Sequence, residues 1–116
     1  MVRFRVGKSY RFKRMKVAAI IFSRMASSRL PGKALRHIAG EPLIKRVINR
    51  VSKVKKLSTV VVATSNSKND DRLVEYIQSL NIEVFRGAAH DVLNRAVSCA
   101  SYLGVDKFIR INGDSP

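Results

Sequence analysis

Four short runs rich in apolar and β-branched residues, 16–22, 59–63, 82–85 and 107–111, alternate with three segments whose apolar residues recur at helical spacing. A β-α-β-α-β-α-β order with short connections restricts the fold to a three-layer α/β arrangement. Its sheet is mostly parallel, its helices lie on both faces, and its crossovers are right-handed. Thr59-Val60-Val61-Val62-Ala63 does not alternate between apolar and polar, as expected of a parallel strand buried on both faces.

The helical segments carry their own signals. Pro42 suits a first helical position, where its missing N–H costs nothing, and Glu41 complements the positive helix end. Leu43, Ile44, Val47, Ile48, Val51 and Val54 then form one apolar face. Lys45, Arg46, Arg50, Lys53 and Lys55 occupy the other side, as a solvated face or a basic docking surface. Thr64 to Asn69 reads as a polar loop. A second helix is expected from about Asp70 to Leu80, with Leu73, Val74, Ile77 and Leu80 inward and Asp70 and Asp71 near its positive end. The third, Asp91 to Leu103, places Val92, Leu93, Ala96, Val97 and Ala100 on one face and stops at Gly104. The last strand runs into Asn112-Gly113-Asp114-Ser115-Pro116 with no element beyond it to cover the sheet, so the domain reads as C-terminally truncated.

At 116 residues the chain is one domain at most. Apolar residues at 46% and charged residues at 27% are a globular balance, which excludes wholesale disorder. No apolar run approaches the ~20 residues of a membrane-spanning helix, and the expected location is cytoplasmic. Cys99 is alone, so no disulfide framework or thiolate metal cluster can form within the chain; it reads as a small buried hydrophobe. The net charge of +15 is concentrated at one end: residues 1–15 hold six of the 23 Lys and Arg and no acid. Residues 16–116 retain 17 cations against eight acids, a net of +9. Such a field attracts nucleotides, nucleic acid and anionic membrane alike. Met15-Lys16 resembles a natural start, which makes residues 1–15 a basic N-terminal extension of little structural consequence. A polyanion-binding arm and a cleaved leader are the other readings.

Between the first strand and first helix lies Ser23-Arg24-Met25-Ala26-Ser27-Ser28-Arg29-Leu30-Pro31-Gly32-Lys33, with three cations and no carboxylate. A loop in this position sits beyond the carboxyl end of a strand, where α/β proteins bind ligands. It is neither a Walker A sequence, since Ser27 replaces the first glycine and Ala34 follows Lys33, nor a dinucleotide fingerprint. Arg24, Arg29 and Lys33, with the hydroxyls of Ser27 and Ser28, are donors suited to phosphate; a solvated basic loop has the same composition. Asp114 lies past the last strand at the same sheet edge. It is a candidate Mg²⁺ ligand, because Mg²⁺ takes one or two carboxylates plus substrate phosphates; a turn-forming Asp in Gly-Asp-Ser-Pro is the alternative. Together the two loops have the layout of a metal-assisted phosphoryl or nucleotidyl transfer site. His37 and His90 lie near no carboxylate cluster with ligand spacing, and His90 abuts Asp91 where capping explains both.

The string SRMASSRLPGK resembles the A-R-x-x-S-x-R-L-P-G-K signature of the sugar-acid cytidylyltransferases. This group includes the 3-deoxy-manno-octulosonate and acylneuraminate enzymes. VVVATSNSKNDDRLVEY, IEVFRGAAHDVLNRAVSCA and FIRINGDSP extend the resemblance collinearly from about Lys16 to Pro116, nearer the spore-coat-polysaccharide-biosynthesis type. The resemblance implies a Rossmann-like nucleotide-diphospho-sugar-transferase fold and transfer of CMP from CTP to a sugar acid with release of pyrophosphate. It implies triphosphate binding by Arg24, Arg29 and Lys33, with Ser23, Ser27 and Ser28 in the same loop, and nucleotide contacts by Arg95 and Asn112. It also implies Mg²⁺ on Asp114 and a homodimer at full length. Phe22-Ser23 and Asn94 depart from the family pattern. Family members continue well past the G-D-x-P turn into a part carrying most sugar contacts and a second metal carboxylate. A fragment ending at Pro116 is expected to bind CTP weakly and not to turn over a sugar.

A second class stands beside this one: a non-catalytic basic module binding nucleic acid or other polyanions through charge. Few aromatics sit among its basic residues, so base stacking has little support. Transfer of another nucleotide to a different sugar is a third reading.

Overall fold

The structure is a computed structural model and describes residues 17–26, 32–89, 91–105 and 107–113. The basic N-terminal extension, and Ser27, Ser28, Arg29, His90 and Asp114 of the sequence reading, lie outside the described residues. The elements in chain order are β1 (Val17–Phe22), a 3₁₀ turn (Lys33–Leu35), β2 (His37–Ile38), β3 (Glu41–Pro42), α1 (Leu43–Ser52) and β4 (Thr59–Ser65). A second 3₁₀ turn (Lys68–Asp70), α2 (Asp71–Ser79), β5 (Glu83–Gly87), α3 (Val92–Leu103) and β6 (Lys107–Asn112) complete them. β5, β4, β1 and β6 form one parallel sheet in that order, while β2 and β3 make a small antiparallel hairpin.

Successive side chains of a strand point to opposite faces, and β1 divides its residues accordingly. Ala19 and Ile21 join Leu43, Ile44, Val47, Ile48 and Val51 of α1 and Leu73 and Ile77 of α2. Ala18, Ile20 and Phe22 join Val61, Ala63 and the α3 residues Ala96 and Cys99. Hence α1 and α2 cover one face and α3 the other, giving the three layers expected. Each of the large aliphatic side chains fully withdrawn from water, such as Ile20, Ile21, Leu43 and Ile44, contributes about 1.5–3 kcal/mol.

The strand order carries the functional consequence. From β1 the chain builds outward through β4 to β5, then returns to place β6 on the opposite side of β1. The connection leaving β1 runs to α1 on one face, whereas the one entering β6 comes from α3 on the other, so the strand order reverses between β1 and β6. Open α/β sheets bind ligands at such a switch point.

Four local expectations are corrected. Pro42 is the residue before α1 and not its first member: its ψ of 143° is extended, and it pairs with His37 in the hairpin. Thr64 and Ser65 belong to β4 and not to a loop, because they pair with Arg86 and Gly87 of β5 and are fully buried. The apolar face of α1 ends at Val51, because the helix stops at Ser52 and Val54 beyond it is 50% exposed. The buried stripe of α3 is Arg95, Ala96 and Cys99, whereas Leu93 and Val97 are 74% and 56% exposed. Hydrophobicity favours the Leu93 and Val97 stripe, yet the stripe containing Arg95 turns inward, where the Ala88 and Ala89 carbonyls accept from its guanidinium.

Among the described residues no helix is long and apolar enough to cross a membrane. Cys99 is buried as expected, and burial, reinforced by Glu83, pushes its thiol up to about 11.

Candidate active site

The loop leaving β1 is tied down at both described ends. Ser23 is buried, and its N–H donates to the Ala63 carbonyl at 3.2 Å, extending the β1–β4 ladder by one residue. On the chain's return, the Gly32 N–H donates to the Met25 carbonyl at 2.7 Å, so the loop between them closes on itself. Gly32 has φ +77°, a left-handed conformation that a Cβ disfavours. It turns the chain so that Lys33 enters the 3₁₀ turn at the mouth of this closed loop.

Arg24 and Arg95 converge from different elements. The Arg24 Nη1 donates to the Ala89 carbonyl at 2.7 Å. The Arg95 Nη1 donates to Ala88 at 2.8 Å and to the same Ala89 carbonyl at 3.5 Å. Arg95 is 2% exposed, and its Nε is buried without a hydrogen-bond partner. Its guanidinium stands 5.5 Å from the Phe22 ring centre, and its stem lies against Gly87, where an added Cβ would approach Cγ to 3.0 Å. Burial, and then the nearby charge of Arg24, push the Arg95 guanidinium below its ordinary value, against a raising influence from Asp70. Two guanidiniums meeting at one carbonyl with a single buried carboxylate beside them among the described residues favour a polyanion. Arginine's planar fork suits phosphate oxygens in particular.

The turn after β6 joins the same edge. Phe22 stands in register with Asn112, and the Gly113 N–H donates to the Phe22 carbonyl at 2.8 Å. Asn112 is exposed at the strand end, one residue from the buried Gly113 that abuts Ser23. Of the residues expected to act together, Ser23, Arg24, Lys33, Arg95 and Asn112 are described, and all lie on loops or element ends at this sheet edge. His37 is instead exposed on the β2–β3 hairpin.

The sequence reading missed the residue that links these parts. Asp70 is 1% exposed; its Oδ1 accepts from the Met25 N–H at 2.7 Å. Its Oδ2 accepts from the Ser65 hydroxyl and lies 3.8 Å from the Arg24 Nε. It makes no helix-capping bond through its side chain. The helix-end role belongs to Asp71, which is exposed and pairs with Arg86 at 2.9 Å. Arg86 also donates to the carbonyls of Ser65 and Ser67 and so holds the β4–α2 connection. The available signal was the doublet itself: adjacent helix-start positions point about 100° apart, so two acids there cannot share one role.

Comparison with known proteins agrees with this architecture. A family model described as cytidylyltransferase matches residues 18–116. A 3-deoxy-manno-octulosonate cytidylyltransferase of Geobacter sulfurreducens is 35% identical over 104 residues, covering 88% of this chain and 40% of the relative. The spore coat polysaccharide biosynthesis protein SpsF of Bacillus subtilis is 36% identical over 101 residues, 84% of this chain and 42% of the relative. A solved cytidylyltransferase from Leptospira borgpetersenii superposes with a TM-score of 0.81 at 33% identity, over 87% of this chain and 42% of that one. CMP:2-keto-3-deoxy-manno-octonic acid synthetase complexed with CTP superposes with a TM-score of 0.74 at 31% identity, over 84% of this chain and 40% of that one. The chain thus spans about 40% of the length of these relatives. With the match running from β1 through the turn after β6, the chain belongs to the sugar-acid cytidylyltransferase family.

Proposed function

We propose that this chain forms the CTP-binding part of a nucleotidyltransferase that makes CMP-sugar acids for surface-glycan or other polysaccharide synthesis. The observation carrying this reading is the convergence of Arg24 and Arg95 on the Ala89 carbonyl at the switch point, beside the closed loop that leads to Lys33. In the reaction, a sugar-acid hydroxyl oxygen attacks the α-phosphorus of CTP. The bond from that phosphorus to the bridging oxygen breaks, pyrophosphate departs with the electron pair, and the hydroxyl proton passes to water. Arg24, Arg29 and Lys33 orient the triphosphate and offset charge on its oxygens as the leaving group separates. Arg95 contributes a fixed positive charge beside Arg24, and Ser23, Ser27, Ser28 and Asn112 supply polar contacts to the nucleotide.

Mg²⁺ belongs to this reading. The Gly113 N–H donates to the Phe22 carbonyl, so the residue that precedes Asp114 in the chain lies against the end of β1. Asp70 is unsuited to the metal, since its oxygens accept from Met25 and Ser65. When bound to Asp114, Mg²⁺ supplies Lewis-acid neutralisation of phosphate charge. Sugar contacts and a homodimer interface are assigned to the part of the relatives' length that this chain does not span.

The test is calorimetric titration of the chain with CTP, with and without Mg²⁺, alongside Lys33→Ala. Binding that requires Mg²⁺ and is lost in Lys33→Ala supports the proposal. Binding indifferent to both overturns it. Duplex DNA binding that falls steeply with salt and is lost on deletion of residues 1–15, without CTP binding, favours the polyanion module instead; Lys53, Lys55 and Lys56, exposed after α1, are among its further charges.

A further inference from the structure

We infer that Asp70 is a positioning residue for the nucleotide grip, holding the Met25 backbone and the Arg24 side chain in the arrangement that receives the triphosphate. The inference rests on the CTP-binding reading above. Asp70 reaches the β1 loop from a site 45 residues further along the chain, across the end of β4. Burying a carboxylate costs several kcal/mol unless it is paired and hydrogen-bonded. A purely local role at the start of α2 would not require burial, since exposed Asp71 already occupies that position.

The partners of Asp70 define its task. Ser65, itself fully buried in β4, donates to Oδ2 and anchors the carboxylate to the sheet. Oδ1 then receives the Met25 N–H, which fixes the first turn of the loop. Gly32 closes on the carbonyl of the same Met25, so one residue carries both the anchor to the sheet and the closure of the loop. The Arg24 guanidinium is hydrogen-bonded through Nη1 to Ala89, while its Nε, buried without a hydrogen-bond partner, lies 3.8 Å from the Asp70 Oδ2 and is oriented by charge. A guanidinium has five N–H donors, and the Nη2 edge is engaged by no described residue, which leaves it for an anion. The Asp70 charge also offsets the mutual repulsion of Arg24 and Arg95, allowing both to share the Ala89 carbonyl.

A double-mutant cycle on Mg²⁺-CTP affinity tests this, using Asp70→Asn, Arg24→Ala and the pair in the full chain. If Asp70 acts through Arg24, Asp70→Asn alone weakens binding by about tenfold, within the coupling range of contacting residues. In the Arg24→Ala background the same change weakens it less than about twofold. Equal factors in the two backgrounds are the mark of a merely structural role and overturn the inference.

Amide hydrogen exchange gives a second readout independent of nucleotide. In Asp70→Ala the Met25 amide is expected to exchange at least roughly tenfold faster while Ile20 and Ile21 in β1 are unchanged, as local opening requires. A Met25 amide unchanged by the substitution, or one accelerated in step with β1, refutes the positioning role. Ser65→Ala, which leaves the carboxylate in place, serves if the Asp70 variants do not fold: faster Met25 exchange supports the inference and an unchanged rate refutes it. Failure of the unsubstituted chain to bind Mg²⁺-CTP overturns the functional reading alone, and the exchange measurement then decides this one.

Discussion

Gly113→Ala is the sharpest single test of how the two loops of the site are joined. A Cβ at position 113 would lie 2.8 Å from the Phe22 carbonyl oxygen, 2.8 Å from Ser23 Cβ and 3.0 Å from Ser23 Oγ. Two of these neighbours cannot retreat freely, because Phe22 and Ser23 are locked into pairing with Ala63. The turn after β6 must move instead, which disturbs the 2.8 Å bond from the Gly113 N–H to Phe22. Overpacking costs about 1–3 kcal/mol, and loss of a backbone hydrogen bond adds about 1 kcal/mol. Against these, alanine restricts the unfolded chain and returns about 0.4–1 kcal/mol. The net expectation is destabilisation by about 2 kcal/mol, since overpacking and the lost bond together exceed the gain. The chain has no tryptophan, so urea unfolding is followed by far-ultraviolet circular dichroism. The midpoint is expected to fall with the m-value unchanged, the pattern of a stability loss without a change in exposed surface. An unchanged or raised midpoint would refute the close packing of the two loops.

Two further expectations bear on other parts of the molecule. Leu93→Gln should change unfolding free energy by less than about 0.5 kcal/mol, as surface substitutions do, because Leu93 is 74% exposed; a loss above about 2 kcal/mol in the same urea titration would reinstate the apolar face read from the sequence. Cys99 should resist thiol reagents in the native state. Raising its thiol from 9.0 to about 11 cuts the thiolate fraction at pH 8 by roughly a hundredfold, and burial blocks access, so rapid labelling without denaturant would contradict its placement.

Much of the architecture was legible from residue patterns, for reasons that differ among elements. Val17–Phe22 and Thr59–Ala63 lack alternation because both sheet faces are covered, and few other arrangements of a short strand produce that pattern. The Leu43–Val51 face of α1 was equally clear, since only one stripe of that helix is apolar. In α3 hydrophobicity favours the stripe containing Leu93 and Val97, yet the one containing Arg95 is buried. A guanidinium penalises burial in any sequence-based weighing, yet Arg95 is buried because Ala88 and Ala89 accept from it and Phe22 lies beneath it. β4 ran two residues further than expected because its terminal Thr64 and Ser65 are polar, while their backbones find partners in β5.

Sequence alone was enough to determine the layer count, the sheet direction, the family and the cationic loop after β1. All of these depend on local periodicity or on collinear motifs, which are properties of neighbours in the chain. The sheet order β5-β4-β1-β6, the meeting of Arg24 with Arg95 and the inward turn of Asp70 were decided only by the tertiary structure. Asp70 illustrates the reason. At the start of a helix any acid gains from the positive helix end, so its position in the chain is already accounted for locally. Its partners Met25, Ser65 and Arg24 are brought to it by the pairing of β1 with β4, and no local pattern encodes that pairing.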